Sequence, residues 1–161
     1  MSSPATEMLL ALGLEDSIVG YAMQDNEIPE QYKADFDALH CISRDWTVSK
    51  WMILALEPDF LMFWNGSADY DYDFLTTNGI STYTMTSDVN GAKIESVYDD
   101  FTNMGKIFGK EDRAAEIIAA MKETSAVKED RYIVVGLADL TVGERIADTV
   151  SLLASRFHPE E

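Results

Sequence analysis

Apolar and polar positions follow two different periods along this chain, and the blocks alternate. Met8, Leu9, Ala11 and Leu12 recur at helical spacing and stop at Gly13. Ser3 suits the N-cap of that helix and Pro4 its first position. Ile18-Val19-Gly20-Tyr21-Ala22 reads as a short strand. A polar segment with Pro29 leads to a helical turn over Gln31–Leu39. Val48–Leu56 is helical and is stopped by Glu57-Pro58. Phe60–Trp64 is continuously apolar, as a strand buried on both faces of a parallel sheet requires. A short helix over Tyr70–Thr77 closes at Asn78-Gly79, and Ser81–Met85 is the next strand. In Lys93–Phe108 the positions Ile94, Val97, Phe101, Met104, Ile107 and Phe108 recur at helical spacing. Gly109 ends or kinks it, and Asp112–Glu123 forms a further helix. Tyr132–Val135 is a strand and Gly143–Phe157 the last helix.

Strands and helices in this order predict an α/β fold: a parallel sheet of about four to five strands with helices on both faces, as a single Rossmann-like lobe. The length of 161 residues suits one such domain with a real core. No internal repeat or low-complexity linker interrupts it. The one compositional break is the polar stretch Lys122–Arg131.

Charge narrows the classes of partner. Lys and Arg number 12 against 29 Asp and Glu, a formal charge of −17. Such a surface repels phosphate backbones and anionic lipid, which argues against nucleic acid. Its plainer effect is solubility. The single cysteine, Cys41, rules out an intramolecular disulfide. No stretch approaches the ~20 apolar residues of a membrane span. Met1-Ser2-Ser3-Pro4 opens without a basic segment or an apolar signal core, so the chain as written is expected in the cytoplasm.

Few motifs carry chemistry. Gly105-Lys106-Ile107-Phe108-Gly109-Lys110 has the wrong spacing for a phosphate loop and lacks the Ser or Thr after lysine. His40 and His158 have no partners at metal-ligand spacing, so no metal site is expected. Asp69, Asp71 and Asp73 lack the glycine and closing glutamate of a calcium loop. No nucleophile elbow occurs, and no catalytic residue or cofactor is expected. The aromatic and soft apolar residues say more. Ligands of open parallel sheets bind beyond the C-terminal strand ends. There stand Tyr21 and Met23 after the first strand, Trp64, Asn65 and Tyr70 after the next, and Met85, Thr86 and Ser87 after the third. They would form an aromatic rim with a few polar groups. The competing reading is that Tyr21, Trp64 and Met85 cap the core.

Several segments resemble one family. Ser3-Pro4-Ala5-Thr6-Glu7-Met8-Leu9-Leu10-Ala11-Leu12-Gly13 is similar to the opening helix of the ABC-importer substrate-binding proteins for iron-siderophores, haem and corrinoids. Ile18-Val19-Gly20, Leu54-Ala55-Leu56-Glu57-Pro58-Asp59, Asn78-Gly79-Ile80 and Gly105–Gly109 continue the pattern in order. Residues 2–124 thus resemble the N-terminal lobe. Asp130–Val135, Gly143-Glu144-Arg145 and His158-Pro159-Glu160 resemble the end of the C-terminal lobe, with the join near Thr124-Ser125-Ala126. The resemblance implies a metal chelate bound at the strand ends, with Ser3 and Pro4 joining the rim and Trp64 against the ligand. It also implies an extracytoplasmic setting.

The departures are specific. The family's first strand, normally ahead of Ser3, is absent, and so is most of the second lobe. Trp51 stands where relatives often carry the glutamate that docks onto permease arginines, and an indole cannot make that charge-assisted contact. Exposed beside Trp46, it would favour a homodimer. Residues 1–124 would form the lobe and 125–161 complete its sheet. If Tyr132–Val135 takes the missing strand's place, the lobe is permuted. Three functions follow: a binding protein for a metal chelate, a structural or engineered single lobe without ligand, and an enzyme on a Rossmann-like sheet.

Overall fold

Helix α1 spans Ser3–Ala11 and closes as the sequence anticipates. The amide of Gly13 donates to the Leu10 carbonyl at 3.0 Å, and that of Leu14 to Leu9 at 3.1 Å. This Schellman pair needs a left-handed residue at Gly13, whose φ is 70°. The structure, a computed structural model, describes residues 3–24, 26–44, 48–63, 71–87, 92–129 and 151. After a 3-10 turn at Glu15–Ser17 come β1 (Tyr21–Ala22), α2 (Glu30–Ala38), β2 (Cys41–Ser43) and α3 (Lys50–Leu54). Then follow β3 (Phe60–Phe63), α4 (Tyr72–Thr77), β4 (Ser81–Thr84), α5 (Ile94–Phe108), α6 (Glu111–Glu123) and α7 (Ser125–Lys128).

The α/β class and the parallel pairing agree with the sequence reading. The described sheet is smaller than expected and is divided. β1 pairs with β2, and β3 with β4, both in parallel, as two separate two-stranded sheets. The first strand is also shorter than its apolar run, because the chain turns at Glu15–Ser17 and pairs with β2 only from Tyr21. β2 has no counterpart in the sequence reading. The expected strand Tyr132–Val135, the helix Gly143–Phe157 except Ser151, and Trp46 lie outside the described residues.

Helix α5 turns most of its apolar stripe inward, while Ile107, expected on that stripe, is exposed because it lies off the line of Val97, Phe101, Met104 and Phe108. Phe101 and Met104 join Met8, Leu9 and Leu12 of α1, Met62 of β3 and Ala114 of α6 in the largest core cluster. Gly105 lets α6 approach: a Cβ there would lie 2.8 Å from the Ala114 Cβ. Leu10, on the other side of α1, packs instead with Tyr21, Ile28 and Phe36. A third cluster gathers Ile53, Phe63, Leu75 and Ile80 around α3 and α4. Arg113 Nε donates to the Ala11 carbonyl at 3.1 Å, placing a cation at the negative end of α1. Among the described residues no helix is long and apolar enough to cross a membrane.

Candidate functional site

The loop leaving β4 is fixed by one buried acid. Asp100 of α5 is 0% exposed. Its Oδ1 accepts from the Tyr83 hydroxyl at 2.6 Å, the Thr86 amide at 2.9 Å and the Thr86 hydroxyl at 2.9 Å. Its Oδ2 accepts from the Ser87 amide at 2.9 Å and the Ser87 hydroxyl at 2.5 Å. Asn103 Nδ2 donates in turn to the Tyr83 oxygen at 3.1 Å. Both carboxylate oxygens accept from several donors, so the buried charge is satisfied. Burial alone would raise the Asp100 pKa, but the hydrogen bonds from Ser87, Tyr83 and the two amides outweigh it and hold the carboxyl below its usual value. Tyr83 is pushed up to about 12, first by burial and then by its bond to Asp100.

This network sets what the strand end presents. The Ser87 hydroxyl donates inward, which leaves its lone pairs for an incoming donor. Met85 is buried beneath, and its amide donates to the Phe63 carbonyl at 2.9 Å. So Met85 is packed into the core at the end of β4, and Thr86 and Ser87 follow it on a loop held by Asp100. Asp100 carries a signal in the sequence that candidate-site reasoning passed over. It lies between Val97 and Met104 on the apolar stripe of α5, where a charge must have buried partners.

The structure places the other expected rim residues differently. Tyr21 is 8% exposed, and its ring meets Phe36 at 4.5 Å between centroids. Burial first, then a hydrogen bond with Cys41, raises its phenol pKa. It stands in the core, as the competing reading of that position holds. Met23 is also buried and adopts φ 59°, a left-handed conformation uncommon for a side chain with a Cβ. Its amide bonds to the Ser43 carbonyl at 2.9 Å, which fixes the turn after β1. Ser3 opens α1 and Pro4 is exposed in its first turn. Trp64, Asn65 and Tyr70 lie outside the described residues. Met85 and Ser87 are brought together; Tyr21 and Met23 close the end of β1. Among the described residues, no three His, Cys, Asp or Glu side chains gather to hold a metal ion.

A family model described as "Periplasmic binding protein" matches residues 1–131. No curated protein sequence matches the chain. Among solved structures, a periplasmic binding protein from Veillonella parvula is 28% identical with a TM-score of 0.70, covering 78% of this chain and 44% of its own. An ABC-type Fe3+-hydroxamate transport protein from Saccharomonospora viridis is 23% identical with a TM-score of 0.62, over 78% of this chain and 47% of its own. A periplasmic heme binding protein from Pseudomonas aeruginosa is 20% identical with a TM-score of 0.60, over 78% of this chain and 42% of its own. The last two likenesses speak for the fold alone. The chain spans less than half the length of each of these proteins.

Proposed function

We propose, because this chain belongs to the periplasmic binding protein family, that it binds a small metal chelate: a ferric siderophore, haem or corrinoid. That family is made of extracytoplasmic binding proteins rather than enzymes. The observation that carries the reading is the loop after β4. Asp100 holds Thr86 and Ser87 in place at a strand end. Preorganised polar groups at a strand end suit the polar edges of a chelate. In this reading Met23 and the start of α1 at Ser3 and Pro4 border the ligand. Tyr21 supports them from the core, and Trp64, Asn65 and Tyr70 after β3 supply the aromatic side. One lobe presents one wall, so full affinity calls for a second wall.

The test is calorimetric titration of the purified chain with haem, cobalamin and a ferric hydroxamate siderophore. One of them gives saturable heat with Kd of about micromolar order, weakened at least about tenfold by Trp64→Ala. Absence of heat for all three at high micromolar ligand overturns the reading. A second reading, a self-associating structural lobe, is favoured by Trp51, which is 67% exposed beside the exposed Met52. Sedimentation of the wild type against Trp51→Glu decides it: a dimer that the substitution dissociates supports it.

A further inference from the structure

Every donor proton of Thr86 and Ser87 is already committed. Both amides donate to Asp100, at 2.9 Å each. Both hydroxyls donate to it as well, Thr86 at 2.9 Å and Ser87 at 2.5 Å. The carboxyl of Asp100 is held below its usual value, chiefly by these bonds against the cost of burial, and so is ionised at neutral pH. An ionised carboxylate only accepts, which fixes the direction of each hydroxyl bond. A second acceptor for the Thr86 hydroxyl, the Ser96 carbonyl at 3.3 Å, belongs to α5 and also draws the proton inward. The two side chains therefore have hydroxyl lone pairs alone to offer a ligand. Thr86 is exposed and Ser87 half-buried, so these lone pairs are within its reach.

We propose, resting on the chelate-binding function above, that this loop selects against chelates with an acidic edge, and that the ligand is neutral or cationic and turns N–H, hydroxyl or ammonium donors to Thr86 and Ser87. A carboxylate placed there would meet two oxygens with no proton left to give. One hydrogen bond behind them it would meet the charge of Asp100, which is 0% exposed and weakly screened. A donor meets the reverse. Its bond to a hydroxyl oxygen extends a chain that ends on a carboxylate, and bonds in such a chain polarise one another favourably. The start of α5 does not change the sign. Lys93 caps that helix and Glu95 stands in its first turn, one exposed charge of each kind, and Glu95 already answers the positive end of the helix dipole. The formal charge of −17 over the whole chain acts in the same direction as the loop. Of the three chelate classes, the amide edges of a corrinoid and the neutral body of a ferric trihydroxamate fit these groups. The propionates of haem would have to turn elsewhere.

The test titrates the full chain with pairs of ligands that differ only by a carboxylate at one edge. The pairs are N-acetyl and N-succinyl ferrioxamine B, cobalamin and its monocarboxylic acid, and haem with its propionates as amides against haem itself. Sodium chloride at about 0.5 M screens the long-range field and leaves contact effects in place. In each pair that binds, the form without the carboxylate should bind at least about tenfold tighter. Asp100→Asn removes the buried charge, and its Nδ2 donates to a hydroxyl whose own proton then turns outward. The ratio within each pair should fall toward one, whereas a purely structural role for Asp100 would weaken both members alike. Equal affinities in the wild type, or preference for the acid, overturn the proposal and leave chelate binding standing. A ratio that Asp100→Asn leaves unchanged overturns it too. Absence of binding by every ligand overturns chelate binding and the proposal together. Should Asp100→Asn fail to fold, the wild-type ratios decide alone.

Discussion

Asp100 concentrates more hydrogen bonds than any other described side chain whose bonds are given above, and its charge is what the donors recognise. Asp100→Asn keeps the shape but turns a donor toward groups that already donate. A loss of about 2–4 kcal/mol in urea unfolding is expected. The pH dependence follows from the shift. The Asp100 pKa in the fold lies below its unfolded value, so its contribution is complete above the ordinary carboxylate range. It is lost as pH falls through the lower, folded value. Tyr83 bounds the other side: raised to about 12, it contributes fully below the ordinary phenol value and loses that contribution as pH rises toward the folded one. Wild-type stability should therefore fall more steeply below the carboxylate range than that of Asp100→Asn, read from urea midpoints at several pH values.

At the scale of elements, the close approach of α5 and α6 depends on an absent side chain. Gly105→Ala would put a methyl 2.8 Å from the Ala114 Cβ and 3.3 Å from the Lys110 carbonyl. Helix propensity favours alanine by about 1 kcal/mol, but overpacking against backbone costs about 1–3 kcal/mol. Net destabilisation is expected, with a lower melting temperature by circular dichroism; Gly105→Ala together with Ala114→Gly should restore most of it. Elements with long periods were legible in the sequence. Ile94, Val97, Phe101 and Met104 repeat over three turns, and the α5 boundary moves by one residue only. Phe60–Phe63 was legible because nothing but a strand fits an apolar run so short after Pro58. Cys41-Ile42-Ser43 was not: three residues with one large apolar side chain show no period, and β1 beside them makes the strand. Near the strand ends, the place of Met85 and Ser87 just after the strand Ser81–Thr84 was legible. The packing of Tyr21 on Phe36 was not, since an aromatic at a strand end looks the same in sequence whatever its ring meets. Asp100 went unread because its partners come from 13 to 17 residues away, beyond any helical period.

For the molecule as a whole, a formal charge of −17 on 161 residues means that folding gathers like charges. The exposed ion pairs Lys33–Asp37 at 3.2 Å and Arg113–Glu116 at 3.0 Å offset little of this. Raising sodium chloride from about 0.01 M to 0.5 M shortens the screening length from ~30 Å to well under 10 Å. The melting temperature should rise with salt; a fall would show that the ion pairs outweigh the repulsion. The spine of the fold has a consequence of another kind. Leu9 and Leu10, adjacent on α1, face separate cores, one shared with β3, α5 and α6, the other with β1 and α2. Helix α1 is thus the common rivet of two bodies with unequal amounts of buried surface. Heat should release the smaller body first, so the calorimetric enthalpy should exceed the van 't Hoff enthalpy. Leu10→Ala should widen that gap by loosening one body from the rivet while the other keeps its grip.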